Sequence, residues 1–327
     1  MTQFHINYLY PPLIGPEIFA HRLRGALEGR GWKFRDYFPG GNGFDEEFIN
    51  LAIIEGPYVR GAKNILRLDG LYFDSENQLT DKLNSPIFSC YDNFDAVIFQ
   101  SEFSKKMYEA FRGERTPNFI IPNGVPEYFS PHTRENPYMH YLKSKYSKVC
   151  IASATWRRHK RLEEVIEAFR DKSLENVALV VLGGEDYKLS VKSLPPNVIM
   201  HENVKPQSLP PMYVAADAMI HLAWLDWCPN TVVEALACGV PVLCSHNGGT
   251  KELVKDNGVV IQLEETYKIG ERVPLYNPPK VDTKQIVAGI LEVLEHKTGF
   301  ERPDLSIESV ADNYISATQS IDKSEGV

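Results

Sequence analysis

Ala223-Trp-Leu-Asp-Trp-Cys-Pro-Asn-Thr-Val-Val-Glu-Ala-Leu-Ala-Cys-Gly-Val-Pro-Val-Leu-Cys244 holds, in one run, a strand end, a loop, a helix, a glycine turn and a second strand. Asn230 is placed to cap the helix, which leaves the backbone N–H groups of Thr231 to Val233 pointing outward. Such a terminus attracts anions. Asp226 lies in the loop just before it, and Glu234 follows eight residues later, about one turn inside the helix. A bland alternative has Asp226 offsetting the helix dipole and Glu234 facing solvent. Against it, Trp224, Leu225 and Trp227 are apolar where a surface helix needs no apolar entry, and they suggest a walled pocket.

The strand–helix alternation extends in both directions. In the first half, strands are expected at His5–Tyr10, Lys33–Phe38, Asn50–Ile54, Asn64–Leu68, Ala96–Gln100 and Phe119–Ile121, with helices at Glu17–Gly29 and Glu102–Phe111. In the second half, strands are expected at Lys148–Ala154, Val177–Leu182, Asn197–His201, Met219–Ala223, Pro241–Ser245 and Gly258–Leu263. Leu162, Val165, Ile166 and Phe169 share one helical face, as do Ile286, Val287, Ile290, Leu291 and Leu294. Near-continuous apolar strands separated by helices imply parallel sheets covered on both faces. The fold class is therefore α/β, with two doubly wound halves. Domains are expected at residues 1–125 and 148–305, joined by a proline-rich linker over 126–147. A last helix over 306–321 carries Ile307, Val310, Ala311, Tyr314, Ala317 and Ile321 along one face.

Composition narrows the function classes. The 327 residues are 43% hydrophobic and 24% charged, a globular balance. The net charge of −8 gives no general pull toward nucleic acid, so any polyanion needs a local basic cluster. The five cysteines form no C-x-x-C pair, which fits reduced thiols in a cytoplasmic protein. The opening residues lack a signal-peptide pattern, and no apolar stretch approaches the roughly 20 residues that span a bilayer.

Two further segments bear on chemistry. Ser153-Ala-Thr-Trp-Arg-Arg-His-Lys-Arg-Leu162 puts Arg157, Arg158, Lys160 and Arg161 in the loop after the second domain's first strand. Fixed cations there suit a diphosphate, with arginine binding two oxygens at once and lysine acting as a movable point charge. The alternatives are a solvated basic loop or a nucleic-acid patch. Tyr10-Pro-Pro-Leu-Ile-Gly-Pro-Glu-Ile18 joins the first strand to the first helix, and Gly15 there permits close backbone approach. It is not G-x-G-x-x-G, so a dinucleotide site has little support.

Taken together, these residues resemble the family-4 retaining glycosyltransferases of the GT-B fold. The resemblance rests on Gly15, Ile121-Pro-Asn-Gly-Val125, the basic loop ending in Lys160, Asp226 and Glu234 at an E-x7-E spacing, Glu234-Ala-Leu-Ala-Cys-Gly-Val-Pro-Val242 and Asn247-Gly-Gly-Thr-Lys-Glu252. It implies two Rossmann-like domains facing across a cleft. The first would bind the acceptor and the second the nucleotide sugar, and the last helix would cross back to the first. It implies that Glu234 holds the donor ribose, that Asp226 lies by the donor sugar, and that Lys160 and Arg157 neutralise the diphosphate. Gly15, Cys228, Pro229, Asn230 and Thr231 complete the implied donor site.

No cofactor or metal is implied, and the chain contains no Asp-x-Asp triplet. The donor would be a UDP- or GDP-sugar. The acceptor would be a saccharide, a lipid-linked or another hydroxyl compound, with room for peripheral membrane contact. The chain departs from the pattern at Asp226, one methylene shorter than the usual Glu, and at Ala154-Thr155 in place of Gly-Arg. A histidine common near the family's reaction centre has no match, and Asp69 in Asp69-Gly70 is the nearest candidate, with a plain turn residue as its alternative. Competing functions on the same architecture are an epimerase, a phosphorylase and a non-catalytic nucleotide-sugar-binding protein.

Overall fold

The structure is a computed structural model that describes residues 2–7, 15–36, 47–184, 189–191, 193–201, 204–263 and 266–321. The chain forms two compact units, residues 1–126 with 269–272 and 304–327, and residues 127–268 with 273–303.

The first unit begins β1 (Gln3–Ile6), α1 (Gly15–Gly29), β2 (Lys33–Phe34), β3 (Phe48–Ile53), β4 (Lys63–Leu68), α2 (Thr80–Asn93), β5 (Ala96–Phe99), α3 (Glu102–Arg112) and β6 (Asn118–Ile120). Its six strands are all parallel, in the order β2-β1-β3-β4-β5-β6. The expected strands beyond Asn7 and beyond Asp36 run into residues outside the described ones. Helix α2 is one the apolar pattern does not show. Its buried positions are Thr80, Asn84, Ile87 and Tyr91, so half the inward face is polar, and Pro86 sits inside it. Asn84 is buried because its side chain clamps the Tyr72 backbone from both sides, accepting from the N–H and donating to the C=O.

The second unit contains α4 (Pro137–Lys143), β7 (Lys148–Ser153), α5 (Leu162–Ala168), β8 (Val177–Leu182), β9 (Val198–His201), α6 (Leu209–Tyr213), β10 (Ala218–His221), α7 (Asn230–Ala237), β11 (Val242–Ser245), α8 (Thr250–Val254), β12 (Gly258–Ile261) and α9 (Thr283–Val293). Again all strands are parallel, in the order β12-β11-β10-β7-β8-β9. Strands such as Val177–Leu182 are buried at every residue, which is why they read as unbroken apolar runs. The stretch 126–147, expected as a linker, carries α4. Pro137 stands in its first turn and the Asn136 side chain accepts from Tyr138 N–H, so the proline starts a helix instead of breaking one. Met139 and Leu142 bury its inner face.

The final helix, α10 (Ile307–Gln319), belongs to the first unit. Ile307, Val310, Ala311, Tyr314 and Ala317 share a core with Phe19, Leu23 and Leu27 of α1. Arg30 adds ion pairs to Glu308 and Asp312. The segment Ile121–Val125 has a structural task here. Val125 N–H donates to Leu305 O (3.0 Å) and Val125 O accepts from Ile307 N–H (2.8 Å). A Cβ on Gly124 would lie 2.9 Å from Ile307 Cα, so glycine lets the two backbones meet. No helix among the described residues is long and apolar enough to cross a membrane.

Candidate active site

In the second unit β7 and β10 are neighbours, while β8 lies on the far side of β7 and β11 on the far side of β10. The connections therefore diverge at the β7/β10 boundary, and the loops beyond those two strands meet over their carboxyl ends. That is where open α/β sheets bind ligands. One loop carries Arg157–Arg161 and the other Asp226–Pro229.

The basic loop is fixed by its apolar and backbone contacts. Trp156 is buried and its indole N–H donates to Leu182 O (3.0 Å). A Cβ on Gly183, at φ +106°, would stand 1.9 Å from Ala154 O. Arg161 adopts the left-handed conformation (φ 57°) and is only 1% exposed. Its guanidinium donates to Leu222 O (3.3 Å) and Pro279 O (3.2 Å). It is a buried brace for the two loops, and this removes it from the four cations facing a diphosphate. Arg157 and Arg158 are exposed, and Lys160 is half-buried. The Lys160 Nζ lies 3.3 Å from Asp226 Oδ2.

Asp226 is held by backbone geometry. Gly249 N–H donates to its carbonyl (2.8 Å). A Cβ on Gly248, at φ +80°, would fall 2.8 Å from the same oxygen, so the Gly248-Gly249 pair allows that close approach. Burial disfavours the Asp226 charge. The Lys160 ammonium and the His221 ring outweigh it and hold the carboxyl well below the usual carboxylate range. His221 ends β10 and is 3% exposed, with Nε2 3.3 Å from Asp226 Oδ2. Burial lowers its pKa, and Asp226 pushes the other way. His159, between Arg158 and Lys160, is also buried; burial and the Lys160 charge hold it down at about 3. Both rings are therefore neutral near pH 7.

Helix α7 starts one residue earlier than the cap reading placed it. Pro229 is the cap residue, and its carbonyl accepts from Val232 N–H (3.0 Å) and Val233 N–H (3.2 Å). Asn230 is thus the first helical residue and does not cap. The amides at the helix mouth are those of Asn230 and Thr231, because Val232 and Val233 are already inside the ladder. Glu234 does not face solvent: it is 6% exposed. It lies against Tyr213, whose hydroxyl is pushed well up, by burial first and by the Glu234 charge second. Cys228 and Pro229 are buried in the same loop. Of the three apolar residues expected to wall a pocket, Trp224 and Leu225 are core residues and Trp227 is partly exposed.

In the first unit, Gly15 opens α1, and residues 8–14 lie outside the described residues. Asp69, just past β4, pairs with Arg67 and accepts from the Gln100 amide. Arg67 is 1% exposed, donates to Asn123 Oδ1 and stacks on Phe19 with its guanidinium carbon 4.3 Å from the ring centroid. Asp69 is thus more than a turn residue. Sequence reasoning missed Arg67, Gln100, His159 and His221. The signal for His221 was a lone basic residue inside the apolar run Ala218-Met-Ile-His-Leu-Ala-Trp-Leu225.

Residues 140–273 match the family of glycosyl transferases group 1. The match lies almost wholly within the second unit. Over 139 residues the chain is 25% identical to N-acetyl-alpha-D-glucosaminyl L-malate synthase of Bacillus anthracis, covering 40% of this chain and 36% of that relative's length. The whole chain is similar in fold to sucrose-phosphate synthase of Thermosynechococcus elongatus, with TM-score 0.64, 14% identity, and 98% and 94% of the two chains covered. It is also similar to WaaG, a glycosyltransferase involved in lipopolysaccharide biosynthesis, with TM-score 0.62, 13% identity, and 98% and 96% covered. Anabaena Alr3699/HepE in complex with UDP-glucose gives TM-score 0.59 at 13% identity, with 98% of this chain and 100% of that one covered. The fold is GT-B.

Proposed function

We propose that this chain transfers a glycosyl group from a nucleotide-diphosphate sugar to an acceptor hydroxyl, with retention of anomeric configuration and without a metal ion. The observation that carries the reading is the Lys160–Asp226 pair at the β7/β10 boundary, beside the mouth of α7 and the buried carboxylate of Glu234. Glu234 accepts hydrogen bonds from the donor ribose hydroxyls. The amides of Asn230 and Thr231, in the loop shaped by Cys228 and Pro229, meet the sugar and diphosphate. Asp226 lies by the donor sugar. Breaking the glycosyl–phosphate bond builds negative charge on the diphosphate, and Lys160 and Arg157 stabilise it, as a metal would elsewhere.

The occurrence of UDP-glucose with Anabaena Alr3699/HepE, a protein of this fold, makes a UDP-sugar the first donor to try. A cytoplasmic location fits the five cysteines, all free thiols.

The test is a thermal-shift screen over UDP-, GDP-, ADP- and TDP-sugars, since ligand binding raises apparent stability. The stabilising donor is then assayed for transfer in excess EDTA, with product configuration read by NMR. Glu234→Gln replaces an acceptor-only carboxylate with a partial donor. It should weaken donor binding by about tenfold, or ~1.4 kcal/mol, with the fold intact. Unchanged affinity removes Glu234 from the site, and activity that needs added Mn²⁺ overturns the metal-free reading.

A further inference from the structure

Asp226 Oδ2 has two basic neighbours at the same distance. Lys160 Nζ and His221 Nε2 each lie 3.3 Å away. Only the lysine is charged near pH 7, and its nearness is one reason the imidazole is not. The carboxylate therefore leans on a cation that the proposed reaction needs elsewhere. A lysine is a point charge on a flexible stem and follows a stronger anion. A carboxylate left in this half-buried site without a cation is costly. The nearest group able to become one is His221.

We propose that His221 is the positioning residue for Asp226: when a donor diphosphate draws Lys160 away, His221 takes up a proton from solvent and becomes the cation that holds the carboxylate. The step adds one proton to a neutral imidazole, so that both ring nitrogens carry hydrogen, and breaks no bond. The groups facing the ring are few. Asp226 comes from the loop beyond its own strand, Lys160 and His159 from the turn beyond β7, and the Cys244 thiol from its register partner on β11. Burial pushes that thiol up to about 12, so it stays neutral, and His159 stays neutral beside Lys160. Arriving negative charge thus acts on one well-placed acceptor of a proton. The inference rests on the donor-site reading above.

The experiment is calorimetry of UDP-glucose binding to the full chain, in buffers of different ionisation enthalpy. This probe is esterified at both ends of its diphosphate, so its own protons do not titrate near neutrality. Wild type should take up protons on binding, and affinity should fall as pH rises from about 6 to 8, by at most about tenfold per pH unit for one proton. His221→Gln keeps a polar side chain that cannot be protonated; uptake and pH dependence should both vanish. His159→Gln should keep them. A purely structural role for His221 would move melting temperature and leave proton uptake alone. Should His221→Gln not fold, ring ¹⁵N shifts of wild type report the same event, with His221 becoming doubly protonated on adding UDP-glucose.

Binding without proton uptake, or uptake that survives His221→Gln, overturns the proposal. If neither UDP-glucose nor any other sugar nucleotide of the screen binds, the donor-site reading falls first and takes this one with it.

Discussion

Beyond β4 in the first unit, Asp69 is gripped by a guanidinium that also holds Asn123 and sits over the Phe19 ring. Beyond β10 in the second, Asp226 meets an ammonium and a neutral imidazole, each at 3.3 Å. Both acids stand past the carboxyl end of a parallel strand, yet their partners differ in kind. Arg67 is almost fully buried and cannot leave without stranding its partners. Lys160 keeps 17% of its side chain in solvent and holds one oxygen. A guanidinium fork suits a fixed scaffold, and a flexible point charge suits a partner that must change hands. The same unit that holds Lys160 also buries Arg161, so arginine and lysine divide these roles within five residues of one loop as well.

The largest effect should come from breaking the fixed pair. Arg67→Ala leaves Asp69 and Asn123 without their common centre. Removing one partner of a buried pair costs ~3–5 kcal/mol. At roughly 2–4 °C per kcal/mol for a unit of this size, calorimetry should show the melting temperature lower by about 6–20 °C. A variant that melts like wild type would mean that Arg67 holds nothing together.

How much of this was legible beforehand varies from residue to residue. The strands announced themselves because parallel sheets are buried on both faces. Lys148–Ser153 and Val177–Leu182 were read almost to the residue. Helix α2 stayed hidden because Thr80 and Asn84 face inward, and α4 because Pro137 looked like a breaker. The candidate site was legible as residue types on loops, not as contacts. That Lys160 reaches Asp226 depends on β10 lying beside β7, a strand order no local pattern encodes. That Arg161 turns inward depends on one left-handed residue between a short turn and α5. His221 went unread because a lone histidine in an apolar strand is ordinarily a satisfied core residue. Only the position of Asp226 five residues later, folded back to 3.3 Å, makes it otherwise.

A smaller effect tests the second unit through pH. His159 is held neutral in the folded chain down to about 3, by burial first and the Lys160 charge second. Unfolded, it titrates near 6.5. A histidine with its folded pKa depressed binds more protons when unfolded. Its contribution is complete above pH 6.5 and is lost as pH falls toward 3. At pH 5 the loss from His159 alone is about 2 kcal/mol. Burial also lowers His221 and His246, and these add in the same direction. Asp226, held far below the usual carboxylate range, keeps its charge in the folded chain, so it adds to the loss only below about pH 4, where the unfolded carboxyl takes up a proton. Melting temperature against pH should decline from about 6.5 downward, and His159→Gln should flatten that decline. Equal slopes for wild type and variant would show that His159 is not what acid attacks.

The finest test of the comparison exchanges the two kinds of cation without changing charge. Lys160→Arg puts a planar fork where a point charge stood. A guanidinium can take both oxygens of Asp226, and such bidentate pairs are stronger than single contacts. If Lys160 acts only by its charge, arginine should serve as well or better, since it also binds phosphate oxygens in pairs. If Lys160 must leave Asp226 for the diphosphate as the glycosyl bond breaks, the better grip on Asp226 raises the barrier. The expected outcome is kcat lower by about fivefold, ~1 kcal/mol, at a donor Kd within about twofold of wild type. Melting temperature should hold or rise, because the ion pair within the unit is strengthened. Steady-state kinetics with the donor found in the screen, beside direct calorimetry of its binding, separates the two terms. A Lys160→Arg variant turning over at the wild-type rate would erase the distinction between a fixed and a releasable pair. A variant that lost donor binding while keeping kcat would place Lys160 in ground-state recognition instead.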